Sequence, residues 1–159
     1  MAAQRTNVMR ILDQKKIKYS VHEYPHGDEA VDGVTVAQLT GMPPEMIFKT
    51  LVTLGASRAA YVFVIPVAAE LDLKKAAKAV GEKSISMLHV KELTPLTGYV
   101  RGGCSPIGMK KQLKTVYHDS IGALDTVCVS AGRIGAQIEL APDELIALTH
   151  GATADVIIS

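Results

Sequence analysis

The chain has 159 residues, 48% of them hydrophobic and 21% charged, with 13 Gly and 7 Pro, a composition that excludes a disordered chain and suits one globular domain over 1–159. A domain of this size buries roughly 68–70% of its unfolded surface, enough for one core without disulfide staples or a structural metal. Seventeen Lys+Arg against sixteen Asp+Glu leave a formal charge of +1, which excludes a global field aimed at nucleic acid, anionic membrane or acidic substrate and leaves charged partners to local patches.

Thr6 is placed to cap a first helix whose Val8, Met9, Ile11 and Leu12 have helical spacing, ending in the basic run Lys15-Lys16-Ile17-Lys18 that suits the C-terminal dipole. A strand follows over 19–24, where Tyr19, Val21 and Glu23 alternate with Ser20, His22 and Tyr24, and then a polar loop runs from His26 to Gly33. Residues 35–40 read as a short helix closed by Gly41, Pro43-Pro44 as a turn, and 47–54 with 59–65 as a hairpin about Gly55-Ala-Ser-Arg58. The spacing predicts a helix over 70–81, with Glu70 and Asp72 at its start, Lys74, Lys75 and Lys78 farther along and Gly81 at its stop.

Shorter segments follow at 84–88, 90–93 and 99–101, then a glycine-rich loop at 102–108, a helix at 110–113, and strands at 114–118, 126–130 and 137–140. Pro142-Asp-Glu opens the last helix, which ends at His150 with Gly151 just beyond. Strands and helices interleave irregularly and several strand pairs are joined by short turns. The expected class is therefore mixed α/β, a mixed sheet or partly closed barrel flanked by helices, with no internal repeat or long linker.

Cys104 and Cys128 are too few for a disulfide framework, and Met1-Ala-Ala-Gln-Arg5 lacks a charged-apolar-small leader, so a cytoplasmic protein with free thiols is expected. The longest apolar stretch, 59–69, contains Pro66 and falls far short of the ~20 residues of a membrane helix; no membrane association is expected.

Lys49 is the most informative position. Ile47, Lys49 and Leu51 share one face of a predicted strand and Phe48, Thr50 and Val52 the other, so a cation sits among apolar neighbours. It either anchors a carboxylate, phosphate or reacting carbonyl, or lays its stem on the sheet while the ammonium reaches water. The segment Gly98-Tyr-Val-Arg-Gly-Gly-Cys-Ser-Pro-Ile-Gly108 holds four glycines. Its backbone can approach a ligand and aim N–H groups at an anion, or it is a structural turn; it matches neither the P-loop nor the dinucleotide fingerprint.

Cys128-Val-Ser-Ala-Gly132 resembles a nucleophile elbow whose first glycine is missing, so Ser130 reads as a turn former able to donate a hydrogen bond rather than as an activated nucleophile. His22, His26, Asp28, Glu29 and Asp32 lie in a strand-to-loop stretch without the spacing of a zinc helix, and no metal is expected. Lys74, Lys75 and Lys78, with Lys110, Lys111 and Lys114, are basic clusters that either meet phosphates or form solvated faces; seven aromatics leave little for base stacking.

Taken in order, Phe48-Lys-Thr-Leu51, Leu71-Asp-Leu-Lys-Lys-Ala-Ala-Lys78, Thr97-Gly-Tyr-Val-Arg-Gly-Gly-Cys-Ser-Pro-Ile-Gly-Met-Lys-Lys111, and Val129-Ser-Ala-Gly132 before Ile138-Glu-Leu-Ala-Pro142 resemble the YbaK/EbsC family. These are bacterial Cys-tRNA(Pro) deacylases, relatives of the editing domain inserted in prolyl-tRNA synthetases. The resemblance runs from about Thr6 to Val156. It implies a six-stranded barrel-like mixed sheet surrounded by helices, and a trans-editing hydrolase that needs no metal or nucleotide cofactor.

By the same resemblance, Lys49 holds the phosphate or ester end of the substrate with Thr50 beside it, Gly102 and Gly103 supply the glycine-loop backbone, Ser130 is the strand-end serine, and Tyr24 lines the pocket. The substrate's own thiol attacks the ester, so no activated protein nucleophile is required. Many relatives carry an acidic residue near Gly135-Ala-Gln137, where Gln137 can supply only an amide, and the loop between Tyr24 and Thr35 is short. The expected partners are the 3′ end of mischarged tRNA(Pro) and prolyl-tRNA synthetase. An Ala-tRNA(Pro) deacylase on the same scaffold, and a non-catalytic module binding tRNA or synthetase, are the alternatives.

Overall fold

In a computed structural model, residues 5–159 are described; Met1–Gln4, on which the reading of the leader partly rests, lie outside the described residues. Five α-helices and eight strands follow one another along the described residues, with short 3-10 turns at Pro44–Met46 and Asp119–Ala123: α1 Asn7–Gln14, β1 Tyr19–Glu23, α2 Gly33–Thr40, β2 Phe48–Gly55, β3 Ala60–Pro66, α3 Leu73–Val80, β4 Ile85–Met87, α4 Val90–Thr97, β5 Lys114–His118, β6 Val127–Ser130, β7 Ala136–Leu140, α5 Pro142–Thr149 and β8 Ala152–Ala154.

The strands form two sheets. One has three strands in the order β1-β7-β6, all antiparallel. The other has five in the order β4-β2-β3-β5-β8, antiparallel from β4 to β3 and parallel from β3 to β8. A single parallel bridge, Ile47 to Cys128, joins them. The mixed α/β class therefore holds, whereas the six-stranded barrel gives way to two open sheets. Closure requires continuous pairing around a ring, and here pairing between the sheets stops after one residue pair.

Local signals are realised where the chemistry is local. Thr6 Oγ1 accepts from Met9 N–H at 3.3 Å, and Asp72 Oδ1 accepts from Lys74 and Lys75 N–H at 3.0 Å each, each cap satisfying donors that the first turn leaves unpaired. Asp72 is thus the boundary of α3, so the helix begins at Leu73 and not at Glu70. Asp32 does the same for α2, which starts two residues before the expected Thr35. The β2–β3 hairpin pairs Phe48 with Pro66 through Leu54 with Ala60.

Other expectations are corrected. The first helix ends at Gln14, so its last turn holds no basic residue and the lysine run lies in the following turn. The 90–93 segment is the start of α4, which runs on through Pro95 to Thr97; a proline near the end of a helix costs one bond instead of breaking the body. Residues 110–113 are irregular and 99–101 contain no strand. In α5, His150 takes the left-handed capping position, while Gly151 is needed for close approach, since a Cβ there falls 2.4 Å from Tyr117 Cε1. The β8 strand was unexpected.

The main core lies between the two sheets. Val8, Met9 and Leu12 of α1 pack with Phe48 and Val52 of β2 and with Val127, Val129, Ile138 and Leu140 of the small sheet. Each such side chain contributes roughly 1.5–3 kcal/mol on full burial. A second cluster, with Phe63, Ile65, Val116 and Val156, fills the space under Ala76 and Ala77 of α3. No helix of the described residues is long and apolar enough to cross a membrane.

Candidate active site

The divergence of the two sheets beyond the Ile47–Cys128 bridge opens a cleft of about 740 Å³. Lys49, Thr50 and Leu51 enter it from β2, Ser130 from the end of β6 and Gln137 from β7. Tyr24, the 28–33 loop with the start of α2, and Val100, Arg101, Gly102 and Cys104 of the glycine-rich loop complete its wall. Five of the six residues singled out from sequence, Tyr24, Lys49, Thr50, Gly102 and Ser130, thus meet in one cleft, although they come from four separate stretches of chain.

Strand alternation explains how Lys49 and Thr50 differ. Phe48 and Val52, on the Thr50 side of β2, join the main core, and Leu51, on the Lys49 side, packs on the second cluster. Lys49 is half-buried and makes no hydrogen bond or ion pair with the described residues. Burial lowers its pKa below the usual 10.5, and the Glu70 carboxylate partly opposes that shift. A cation with lost hydration and no direct partner is prepared to receive an anion or a polarised carbonyl.

Two cleft-lining side chains carry buried polar atoms with no partner among the described residues, Thr50 Oγ1 and Gln137 Oε1. An unpaired buried polar atom costs about 1–3 kcal/mol, so each is a candidate hydrogen-bonding group for a ligand in the cleft. Gln137 is only 8% exposed, and its backbone is fixed by pairing with both His22 and Ser130.

Ser130 is a turn former, as its sequence context suggests: its Oγ accepts from Gly132 N–H at 3.1 Å. No histidine is hydrogen-bonded to it among the described residues, so a serine-nucleophile mechanism has no base. Tyr24 follows β1, is held by donating its N–H to Gly135 O at 2.9 Å, and stacks edge-on against His26 with ring centroids 6.5 Å apart.

The two glycines of the glycine-rich loop separate. Gly102 is exposed on the cleft wall with φ +85°, and its N–H makes no hydrogen bond to the described residues. A Cβ there falls 2.7 Å from Ala30 Cβ. Gly103 is buried away from the cleft, its N–H donates to Val100 O at 3.0 Å, and a Cβ falls 3.0 Å from the Arg133 backbone. Of the pair, Gly102 has the N–H available to a ligand, and Gly103 lets the loop lie on the 133–134 backbone.

Sequence reasoning did not place Arg101, Cys104 or Ile134 in the site, and left Asp28, Glu29 and Asp32 in a solvated loop. All six line the cleft. Asp32 is occupied as the α2 cap, accepting from Thr35 N–H and Oγ1, and the Thr35 hydroxyl is the main reason its pKa is lowered. The Cys104 thiol is pushed up to about 12 by burial and is not a nucleophile at neutral pH.

The comparisons with known proteins agree with this architecture. Residues 28–148 match the family of the aminoacyl-tRNA editing domain. The Enterococcus faecalis protein named "Putative Cys-tRNA(Pro)/Cys-tRNA(Cys) deacylase EbsC" is 46% identical over 153 residues, covering 96% of this chain and 93% of that protein. A crystal structure described as "a putative trans-editing enzyme for prolyl tRNA synthetase" superposes with TM-score 0.81 at 27% identity, covering 99% of this chain and 100% of that one. A hypothetical protein at 24% identity has the same fold, with TM-score 0.86 over 96% of this chain and 100% of its own. With most of its length matched and its cleft built where the two sheets part, the chain belongs to the aminoacyl-tRNA editing domain family.

Proposed function

We propose that the protein is a trans-editing deacylase that cleaves the ester of Cys-tRNA(Pro). The observation that carries this reading is the convergence of the half-buried, unpaired Lys49 with two orphaned buried polar atoms, Thr50 Oγ1 and Gln137 Oε1, in one cleft without an activated nucleophile. Such a site can bind and polarise an ester but supplies no attacking group of its own, so the substrate must bring one or water must serve.

Lys49 holds the 3′-terminal phosphate or the ester oxygen, and the free Gly102 N–H meets the carbonyl oxygen as negative charge develops there. Thr50, Gln137, Ser130 and Tyr24 position the aminoacyl group, and Gly103 acts through the placement of Gly102. The cysteinyl sulfur attacks its own ester carbonyl: a C–S bond forms, the C–O bond to the ribose breaks, and the thiol proton passes to the departing ribose oxygen. Water then opens the thiolactone to free cysteine. The near-neutral charge of the chain, +1, gives little non-specific hold on tRNA, so prolyl-tRNA synthetase is the partner that delivers the substrate.

The experiment is deacylation of Cys-tRNA(Pro) and Ala-tRNA(Pro) by the purified protein and by Lys49→Ala, with circular dichroism showing that the variant folds. Preferential loss of cysteine, abolished in the folded variant, is the expected result. Faster release of alanine assigns the site to Ala-tRNA(Pro). Binding without turnover on either substrate overturns the enzymatic reading.

A further inference from the structure

The face of the small sheet that turns away from the main core carries a second set of polar side chains beyond the cleft. Val127, Val129, Ile138 and Leu140 point into the core, so alternation places Cys128, Ser130, Gln137 and Glu139 on the opposite face. Ser130 and Gln137 line the cleft, whereas Cys128 and Glu139 do not. Cys128 and Glu139 are direct partners across β6 and β7. His22, paired with Gln137, lies diagonally from Glu139 and brings Nε2 to 2.7 Å from its Oε1. One ligand atom from each of His22, Cys128 and Glu139 lies within 4.8 Å of the others, the one such group of three among the described residues.

We propose that His22, Cys128 and Glu139 form a site for a divalent cation of the zinc class, separate from the editing cleft, with three protein ligands and one open position. An imidazole, a thiolate and a carboxylate together suit a borderline-soft ion and are a poor set for magnesium or calcium. Ordinary zinc bond lengths place tetrahedral ligand atoms roughly 3.3–3.6 Å apart, a spacing bracketed by the 2.7 Å His22–Glu139 contact and the 4.8 Å limit within which all three ligand atoms lie.

Three further features fit the assignment. All ligands stand on paired strands, which hold their backbones more firmly than loops do. Thr126 Oγ1 donates to Glu139 Oε2 at 2.5 Å, fixing one carboxylate oxygen and leaving Oε1 to the ion, the outer support that metal-binding carboxylates usually have. The His22 and Glu139 side chains are 28% and 22% exposed, while Cys128 is buried, so an ion enters from solvent and meets sulfur at the inner end. On binding, the Cys128 sulfur binds the metal as thiolate and its proton leaves to solvent. His22 and the loop after it lack a metal-binding spacing in sequence, whereas Glu139, its partner in the fold, is 117 residues away.

The test is titration of the full-length protein with Zn2+ and with Co2+ as a spectroscopic probe. One ion per chain, a near-ultraviolet sulfur-to-cobalt charge-transfer band and a Tm that rises with free metal are expected. Cys128→Ser should abolish the band and weaken binding at least about tenfold, as should Glu139→Gln for affinity, while Cys104→Ser keeps both signals. Absence of stoichiometric binding in the wild type overturns the proposal, and binding that survives Cys128→Ser assigns the ion to an adventitious surface site and overturns it equally. Should Cys128→Ser fail to fold, alkylation of the wild type with and without Zn2+ decides: metal must protect Cys128, located by peptide mapping, and unchanged labelling of that residue refutes the site.

Discussion

Ile47 and Cys128 form the only β-bridge between the two sheets among the described residues, and it is parallel. Two residues onward on each strand stand Lys49 and Ser130, both lining the cleft. Because the strands leave the bridge in the same direction without pairing again, their side chains face a shared opening where a continuous sheet would have filled the space with backbone hydrogen bonds. The geometry of the cleft is therefore a consequence of sheet pairing that starts and stops.

Removing the cation tests the centre of the cleft. Lys49→Ala should lower kcat/KM for deacylation by about 10²–10³-fold, the usual loss for a group that stabilises developing charge. Its Tm should stay close to wild type, since Lys49 forms no ion pair with the described residues. A variant that retains full activity would remove Lys49 from the mechanism, as measured by release of labelled amino acid from tRNA.

Thr50→Val keeps shape while deleting the orphaned hydroxyl. Stability should be unchanged or rise by up to about 1–3 kcal/mol, because a buried unpaired polar atom is lost, while activity falls. Urea unfolding alongside kinetics separates the two effects; a variant that is less stable by that amount would show that the hydroxyl has a partner in solution.

Gly102→Ala introduces both a left-handed alanine and a contact 2.7 Å from Ala30 Cβ. The backbone term alone costs about 1–2 kcal/mol, and the clash adds to it. The double variant with Ala30→Gly should relieve the Cβ–Cβ contact but keep both the conformational cost and the contact with Ala30 Cα at 2.9 Å, so a thermodynamic cycle on chemical unfolding should give a favourable but partial coupling energy. Simple additivity would mean that the loop moves away from Ala30.

The ammonium of Lys49 should titrate below 10.5, because burial disfavours its charged form more than Glu70 supports it. Between its lowered native pKa and 10.5 the unfolded chain holds more protons than the native one, so this group's contribution to stability increases with pH across that window. Heteronuclear NMR of the lysine side chains locates the shift, and Glu70→Gln should lower the Lys49 value further. A Lys49 that titrates at or above 10.5 would contradict the burial seen here.

Glu82 accepts from Tyr61 Oη at 2.7 Å and from the Ser57 hydroxyl and N–H, tying the β2–β3 turn to the end of α3. The Ser57 hydroxyl is the chief cause of its lowered pKa. Its stabilising effect is present above the ordinary 4.5 and is lost as pH falls through the lower native value. Glu82→Gln should flatten that part of the acid limb in a plot of Tm against pH; an unchanged limb would place the loss at other carboxylates.

Features written in short stretches of the chain could be read from it. Thr6 and Asp72 cap helices through donors two or three residues away, and the turn between β2 and β3 joins strands that are neighbours in sequence, so side-chain chemistry and backbone geometry act within one turn. The strand of Lys49 and the glycine-rich loop were legible for the same reason, through alternation and glycine content. The 90–93 segment falls short of α4, which runs on through Pro95 to Thr97 because a proline there removes one hydrogen bond without breaking the helix body.

The tertiary structure alone decided that β1 pairs with β7 across more than a hundred residues, that β8 closes the edge of β5, and that the two sheets stay open instead of forming a barrel. It also decided which N–H of the Gly102-Gly103 pair is free, and that His22, Cys128 and Glu139 meet. Each of these depends on contacts between distant segments, whose free energy comes from burying apolar faces together and not from any local pattern, so periodicity sets which side of a strand is polar and packing sets what that side meets.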